Sequence, residues 1–259
     1  MRPYVGITGP VTVDEVKAIT QEFGRAGYRM LSDHWPMIGF LVSLKTLNRQ
    51  PTANRRYPAI DTLPDLLEQA AGTFTMIHYN SREQQTLAEQ VRSVFKGVYG
   101  RLCSAVQLNI PWPDIKQVSA IKNEFPCMDI VFQASHQAME GMTPAEIVKK
   151  IIKYGSSINY VLIDPSGGRG IEFNIESSVR LYKELFSKTK GLTVGFAGGF
   201  TCANVADRVN EIKARIDSEF FCIDAEGGLR DKITNAYGDD LLNMTKVKAY
   251  LSSASQVLP

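Results

Sequence analysis

Two aspartates stand at the ends of short apolar segments, where side chains are well placed to do chemistry. Asp164 follows Tyr160–Ile163, and Asp224 ends Phe220–Asp224. Two carboxyl groups in unequal surroundings can divide the work of proton transfer, because burial keeps one protonated at neutral pH while the other stays ionised. We predict Asp164 to be a general acid and Asp224 to be either its partner base or a substrate-binding residue.

Histidine and glutamine side chains offer further candidates. His78 ends another apolar segment, and its near-neutral pKa suits a general base, although a lone histidine often only hydrogen-bonds its neighbours. His136 is a weaker candidate for the base, and His34 is predicted to be structural. Gln107 and Gln133 also end apolar segments, where their amides can bind substrate hydroxyls.

Three glycine clusters follow the last three apolar segments. Glycine lets backbone amides approach an anion closely, and a helix that starts nearby adds unpaired N–H groups. The clusters therefore predict a phosphate site, with a purely structural role in turns as the alternative. Glu226 beside the last cluster would repel phosphate unless it turns outward or binds a hydroxyl. The predicted phosphate-binding residues are Gly167, Gly168, Gly170, Gly198, Gly199, Gly227 and Gly228.

The elements that position these residues alternate along the chain. Eight short, mostly apolar segments are typical of strands buried on both faces of a parallel sheet, and amphipathic helical stretches separate them. Thr12 with Glu15, and Thr143 with Glu146, have the spacing of capping boxes at helix starts. Strict alternation over about 250 residues favours one (β/α)₈ barrel that spans residues 1–259 as a single domain. An open, doubly wound sheet is the alternative.

Composition narrows the function classes. The chain has 259 residues and a formal net charge of +2, too small to indicate binding to nucleic acid or to an anionic membrane. No apolar run is long enough to span a bilayer, and the first residues carry no apolar signal core, so we expect a cytoplasmic protein. The four cysteines lack metal-site spacing, and no cluster of histidine, cysteine or carboxylate residues has ligand spacing, so we expect no metal and no organic cofactor. A homodimer is left open.

One connection is unusually long. Residues 44–62 read LKTLNRQPTANRRYPAIDT, rich in Asn, Pro and Arg. Loops of this length are uncommon unless they are functional or mobile. In a barrel the loop would emerge at the catalytic face, because it follows the second strand. Lys45 and Arg49 are its candidate substrate-binding residues, with a solvated basic loop as the alternative.

Several segments resemble the phosphoribosylanthranilate isomerase family, over most of the chain but in patches. FAGGFTCANV at Phe196–Val205 is the most specific match, and VLIDPSGGRGIEFN at Val161–Asn174 is similar to the family's Asp and Gly-Gly-x-Gly segment. AVQLNI at Ala105–Ile110 and IDAEGGLRDKI at Ile223–Ile233 are similar to a strand end and to a shortened final loop. VGITG at Val5–Gly9 is similar to the first strand.

The resemblance implies a phosphate-binding barrel that catalyses an Amadori aldose–ketose rearrangement in tryptophan biosynthesis. It implies Asp164 as the general acid, a binding role for Asp224, and a basic residue such as Lys45 or Arg49 for the anthranilate carboxylate. Thr8 stands where the family has a general-base cysteine. Because a hydroxyl is a far weaker acid than a thiol, the base would have to be another residue, Asp224 or His78.

Two other functions stay open at this stage. A different phosphosugar enzyme, such as an epimerase or lyase, can use the same phosphate-binding platform, because a fold transfers a site more safely than a reaction. A non-catalytic homologue that binds a phosphorylated ligand can keep the glycine loops after losing the general base. All three functions share a small phosphorylated sugar as the expected ligand.

Overall fold

Eight parallel strands close into a barrel, which confirms the predicted (β/α)₈ fold. The computed structural model describes residues 1–103, 105–166 and 173–259. Each strand pairs with its neighbours in chain order, and β1 closes the barrel on β8. The strands are β1 (Tyr4–Thr8), β2 (Trp35–Ser43), β3 (Phe74–Asn80), β4 (Ala105–Leu108), β5 (Asp129–Ser135), β6 (Tyr160–Asp164), β7 (Thr193–Ala197) and β8 (Cys222–Ala225).

Helices surround the barrel, and a short hairpin extends the loop after β8. The hairpin pairs β9 (Arg230–Lys232) with β10 (Asp240–Leu242) in antiparallel fashion. The α-helices are α1 (Val13–Arg25), α2 (Leu44–Leu47), α3 (Leu63–Gln69), α4 (Leu87–Phe95), α5 (Ile115–Glu124), α6 (His136–Met139), α7 (Pro144–Ile151), α8 (Ile175–Lys188), α9 (Val205–Ile216) and α10 (Met244–Ala254). Within the described parts of the chain, no helix has the length and apolar character needed to cross a membrane.

The helix starts follow the local sequence signals. Thr12 and Glu15 form the capping box of α1, and Thr143 and Glu146 form that of α7, both as predicted. In each box the threonine side chain accepts from the glutamate amide while the glutamate carboxylate reaches back to the threonine backbone. These bonds satisfy N–H groups that a helix start would otherwise leave unpaired.

Two apolar cores hold the architecture together. The larger one fills the space between the strands and the surrounding helices, and the smaller one lies inside the barrel. The rings of Tyr4, Phe74 and Tyr160 close the lower end of the barrel, with centroids 5.9 to 6.2 Å apart. Above them lie Met37 and Leu162, among others. Burial of each such side chain contributes roughly 1.5–3 kcal/mol.

The inward-facing positions change character near the carboxyl ends of the strands. Because side chains alternate along a strand, every second residue points into the barrel. The lower inward positions are apolar, whereas the uppermost ones are polar and nonetheless buried. These polar residues are Thr8, His78, Gln107, Gln133, Asp164 and Asp224. The barrel therefore ends in a polar layer, which forms the floor of the site described next.

Candidate functional site

A cavity of about 300 Å³ opens above the polar layer at the carboxyl ends of the strands. Its size is at the low end of the range for small-molecule sites, roughly 300–1,000 Å³. It brings together most of the site residues predicted from the sequence. Those that line it are His78, Gln107, Gln133, Asp164, Gly198, Gly199, Asp224, Gly227 and Gly228.

Asp224 lies at the end of β8 and is 5% exposed. The hydroxyl of Thr8 donates to its carboxyl oxygens at 3.0 and 3.1 Å. Burial, aided by the nearby Glu226 and Asp164 carboxylates and opposed by the Thr8 hydrogen bond, raises the pKa of Asp224 to about 8. Because this pKa lies above neutrality, Asp224 holds a proton at pH 7 and can donate it.

Asp164 ends β6 and has the opposite surroundings, although it is equally buried. Gln133 Nε2 donates to its Oδ2 at 2.6 Å. The backbone N–H and the hydroxyl of Ser166 donate to its Oδ1 at 3.1 and 2.9 Å. Hydrogen bonds donated to a carboxylate favour its ionised form. These hydrogen bonds favour an ionised Asp164, whereas burial favours a protonated Asp224. The role of Asp164 as the general acid, which the sequence predicted, stays a prediction.

His78, on β3, is buried, and burial lowers its pKa to about 3. The ring is therefore neutral at pH 7. Gln107, on β4, places its Nε2 3.3 Å from His78 Nδ1 and donates to Asn109 Oδ1 at 2.8 Å. His78 Nε2 and Gln107 Oε1 have no hydrogen-bond partner among the described residues.

Gly39, on β2, leaves a gap between two of these polar side chains. A Cβ atom at this position would lie 2.5 Å from Thr8 Oγ1 and 2.6 Å from His78 Nε2, so a larger residue cannot be accommodated without a shift. The sequence analysis missed this glycine. A signal was present, since a glycine inside an apolar strand often marks a close approach of other atoms.

The glycine loops after β7 and β8 have the geometry that an anion site needs. Gly198 and Gly199 adopt positive φ angles of 94° and 68°, which turn the chain sharply. A Cβ on Gly228 would lie 2.1 Å from the Phe200 carbonyl oxygen, so the two loops touch. In the described part of the chain, the amides of Gly198, Gly199, Gly227 and Gly228 donate to no acceptor. Such amides can bind the oxygens of a phosphate.

The third predicted glycine cluster, Gly167, Gly168 and Gly170, lies outside the described residues. Its role in phosphate binding stays a prediction.

Arg56, from the long loop after β2, accounts for the awkward position of Glu226. The guanidinium is 4% exposed, donates to Glu226 at 2.6 Å and to Asp240 at 2.5 Å, and lies 4.7 Å from the centre of the Tyr237 ring. The negative charge of Glu226 is thereby paired with a positive one. The sequence analysis noted the basic loop but did not single out Arg56, because its partners lie about 170 or more residues away along the chain.

Four candidates lie away from the cavity floor. Arg49 is exposed and its Nη2 donates to Asp61 at 2.5 Å, and Lys45 is exposed in a separate groove. His136 starts α6 at the exposed rim of the cavity. His34 is buried at the amino end of β2, 3.0 Å from the Glu219 carbonyl oxygen. The described residues contain no cluster of three or more side chains suited to hold a metal ion.

Comparisons with known proteins show the fold. No family model and no curated protein matches the chain. The chain is similar to tryptophan synthase subunit alpha from Legionella pneumophila strain Paris, with a TM-score of 0.60, 12% identity, and coverage of 99% of this chain and 92% of that one. The tryptophan synthase alpha chain from Legionella pneumophila subsp. pneumophila gives a TM-score of 0.59 and 13% identity, with the same coverage.

These comparisons overturn the assignment to the phosphoribosylanthranilate isomerase family. The structural neighbours are alpha subunits of tryptophan synthase, so the family named from the sequence is wrong. At 12–13% identity, the similarity to these neighbours shows only the barrel fold. The physical reason lies in the motifs that suggested the family. Glycine loops suit a phosphate site at the carboxyl end of a (β/α)₈ barrel, and active-site residues of such barrels generally stand at strand ends, so these features do not distinguish one such family from another.

Proposed function

We propose that this protein is an enzyme that binds a small phosphosugar at the barrel mouth and catalyses an aldose–ketose isomerisation by proton transfer between Asp164 and Asp224. One observation carries the proposal: two buried carboxyl groups face one cavity with opposite preferences for the proton. Asp224 has its pKa raised to about 8, and Asp164 accepts hydrogen bonds from Gln133 and Ser166 that favour its ionised form. Unequal carboxyl pairs of this kind divide the roles of acid and base.

The reaction follows from these two proton preferences. Asp164 takes the proton from carbon 2 of the open-chain aldose, while Asp224 gives its proton to the carbonyl oxygen on carbon 1. The product of this first half of the reaction is an enediol. The Asp224 carboxylate then takes the proton of the hydroxyl on carbon 2, and Asp164 returns its proton to carbon 1. Both side chains end in their starting forms, and the sugar has become a ketose.

Two further features support a phosphate group on the substrate and a place in tryptophan biosynthesis. The unpaired amides of Gly198, Gly199, Gly227 and Gly228 line the cavity on the side of β7 and β8, where they can hold a phosphate without a basic side chain. The fold neighbours are named as subunits of tryptophan synthase, which supports a place among the barrel enzymes of tryptophan biosynthesis.

The test is proton exchange at the sugar carbons. The purified protein is incubated in D₂O with a panel of pentose and hexose phosphates, and incorporation of deuterium at carbons 1 and 2 is followed by NMR. We expect incorporation together with interconversion of one aldose–ketose pair. Asp164→Asn should slow both by roughly 10²- to 10⁴-fold, the usual range for loss of a general base.

The matched control is Asp61→Asn, which removes an exposed carboxylate paired with Arg49 and should leave the rate unchanged. A folded protein that binds a sugar phosphate but exchanges no proton would contradict the catalytic proposal and favour a ligand-binding protein. Failure to bind any phosphorylated ligand, or inorganic phosphate, would contradict the phosphate site as well.

A further inference from the structure

The wall of the cavity formed by β3 and β4 carries two polar atoms that the protein itself leaves unsatisfied. His78 and Gln107 are each 1% exposed, and both line the cavity. His78 Nε2 and Gln107 Oε1 have no partner among the described residues. A buried polar atom without a partner is costly, so an atom of this kind that faces a cavity points to a ligand group that satisfies it.

The neighbouring hydrogen bonds fix which atom donates. Gln107 Nε2 donates to Asn109 Oδ1 and lies 3.3 Å from His78 Nδ1, so Nδ1 is the acceptor of this contact. In a neutral imidazole the other nitrogen then carries the hydrogen, which makes His78 Nε2 a donor. Gln107 Oε1 is an acceptor. The wall therefore presents one donor, on His78, and one acceptor, on Gln107.

The charge of this wall is as informative as its hydrogen bonds. The burial that lowers the pKa of His78 to about 3 keeps the ring neutral, so it offers an N–H and no positive charge. Arg56 also lines the cavity, but its guanidinium is engaged by Glu226 and Asp240. A carboxylate placed against His78 would lose its water, gain a single N–H and meet the Gln107 oxygen, which repels it.

The position of the wall indicates which part of the ligand it contacts. In the closed order of strands, β3 and β4 lie diametrically opposite β7 and β8, whose loops carry the unpaired glycine amides. Gly39 keeps open the space beside His78 Nε2, because any Cβ there would lie 2.6 Å from that nitrogen. A ligand held by its phosphate on one side thus reaches His78 and Gln107 with its far end.

We propose that His78 and Gln107 form a subsite that binds a neutral hydroxyl group in the half of the substrate remote from the phosphate, and that rejects a carboxylate there. A hydroxyl accepts from His78 Nε2 and donates to Gln107 Oε1, which satisfies both atoms. This inference rests on the proposed function, since it takes the phosphate to lie at the glycine loops. It narrows the substrate class to phosphorylated sugars that carry no carboxylate in the half remote from the phosphate.

The experiment compares two ligands that differ only at the far end. Binding of ribitol 5-phosphate and of ribonate 5-phosphate, in which the terminal CH₂OH is a carboxylate, is measured by calorimetry, with inorganic phosphate as a probe of the glycine loops. We expect the intact protein to bind the neutral ligand at least roughly tenfold more tightly. Gln107→Leu should weaken the binding of ribitol 5-phosphate by roughly 5- to 30-fold, the effect expected for the loss of one or two buried hydrogen bonds.

Controls separate this inference from the proposed function. Gln85→Leu makes the same change at an exposed glutamine outside the cavity and should leave all three affinities unchanged. Gln107→Leu should not alter the affinity for inorganic phosphate. Equal binding of the two ligands by the intact protein, with phosphate binding retained, would overturn the subsite alone. Absence of phosphate binding would instead overturn the proposed function. The ligand preference of the intact protein decides the matter even where a variant does not fold.

Discussion

Replacing Asp224 with asparagine should stabilise the fold at neutral pH while it abolishes turnover. Burial raises the pKa of Asp224 to about 8 from an ordinary value of 3.8. At pH 7 the unfolded chain has this carboxyl ionised, so folding must take up a proton. That uptake costs about 1.36 kcal/mol for each pH unit above the unfolded pKa, and the roughly 3 units up to pH 7 give about 4 kcal/mol as an upper limit. Asparagine has no proton to take up.

The linkage between protonation and folding fixes the direction in which the free energy of unfolding changes with pH. Between about pH 4 and pH 8 the folded protein holds one proton more than the unfolded chain at Asp224, so this group makes the free energy of unfolding fall as pH rises through that window. Below about pH 4 both states are protonated, and above about pH 8 both are ionised, so the slope vanishes. The advantage of Asp224→Asn should therefore be near zero at pH 4 and grow to its full value by pH 8.

The assay is urea unfolding of both proteins at several pH values from 4 to 8, followed by tryptophan fluorescence. In thermal unfolding at pH 7, each kcal/mol of added stability should raise the melting temperature by roughly 2–4 °C. Asp61→Asn is the control: its exposed carboxylate has a pKa lowered by Arg49, so its removal should not stabilise the fold at neutral pH. The same pH dependence in the intact protein and in Asp224→Asn would refute the buried, protonated carboxyl. Full turnover by the variant would refute its role as the acid.

Three other substitutions test neighbouring parts of the site. Thr8→Val removes the hydrogen bond that lowers the pKa of Asp224, so the alkaline limb of the pH–rate profile should move to higher pH. An unmoved limb would argue against Asp224 as the acid. Gly228→Ala would place a Cβ 2.1 Å from the Phe200 carbonyl oxygen, and should cost about 1–3 kcal/mol in urea unfolding and weaken phosphate binding. Unchanged phosphate affinity would remove this loop from the site. Arg56→Met removes the ion-pair partner of Glu226 and leaves Asp240 with its longer contact to Arg230 at 3.4 Å, so it should cost about 3–5 kcal/mol in urea unfolding. A loss well under about 1 kcal/mol would show that the pairing is not stabilising.

The order of apolar and amphipathic segments was enough to predict the barrel. Period and spacing are local properties, so eight buried strand segments with helices between them favour the closed parallel sheet that the structure shows, and capping boxes at Thr12 and Thr143 mark helix starts. The same order predicted which residues stand at strand ends. Because all parallel strands end on one face, Asp164, Asp224 and His78 were expected to lie together, and all three line one cavity.

The tertiary structure alone decided what those residues are able to do. A carboxyl's pKa depends on burial and on groups that other strands bring near, and Thr8 lies 216 residues from the Asp224 that it contacts. The sequence therefore suggested two aspartates and assigned the proton to Asp164, and only the fold shows the burial that raises the pKa of Asp224 and the hydrogen bonds that Asp164 accepts. In the same way, Lys45 and Arg49 belong to the expected basic loop, yet only the fold brings Arg56 from that loop to the cavity. The gap at Gly39 exists only because neighbouring strands bring Thr8 and His78 close to it. The polar atoms of His78 and Gln107 that lack a partner among the described residues likewise come together only in the folded barrel.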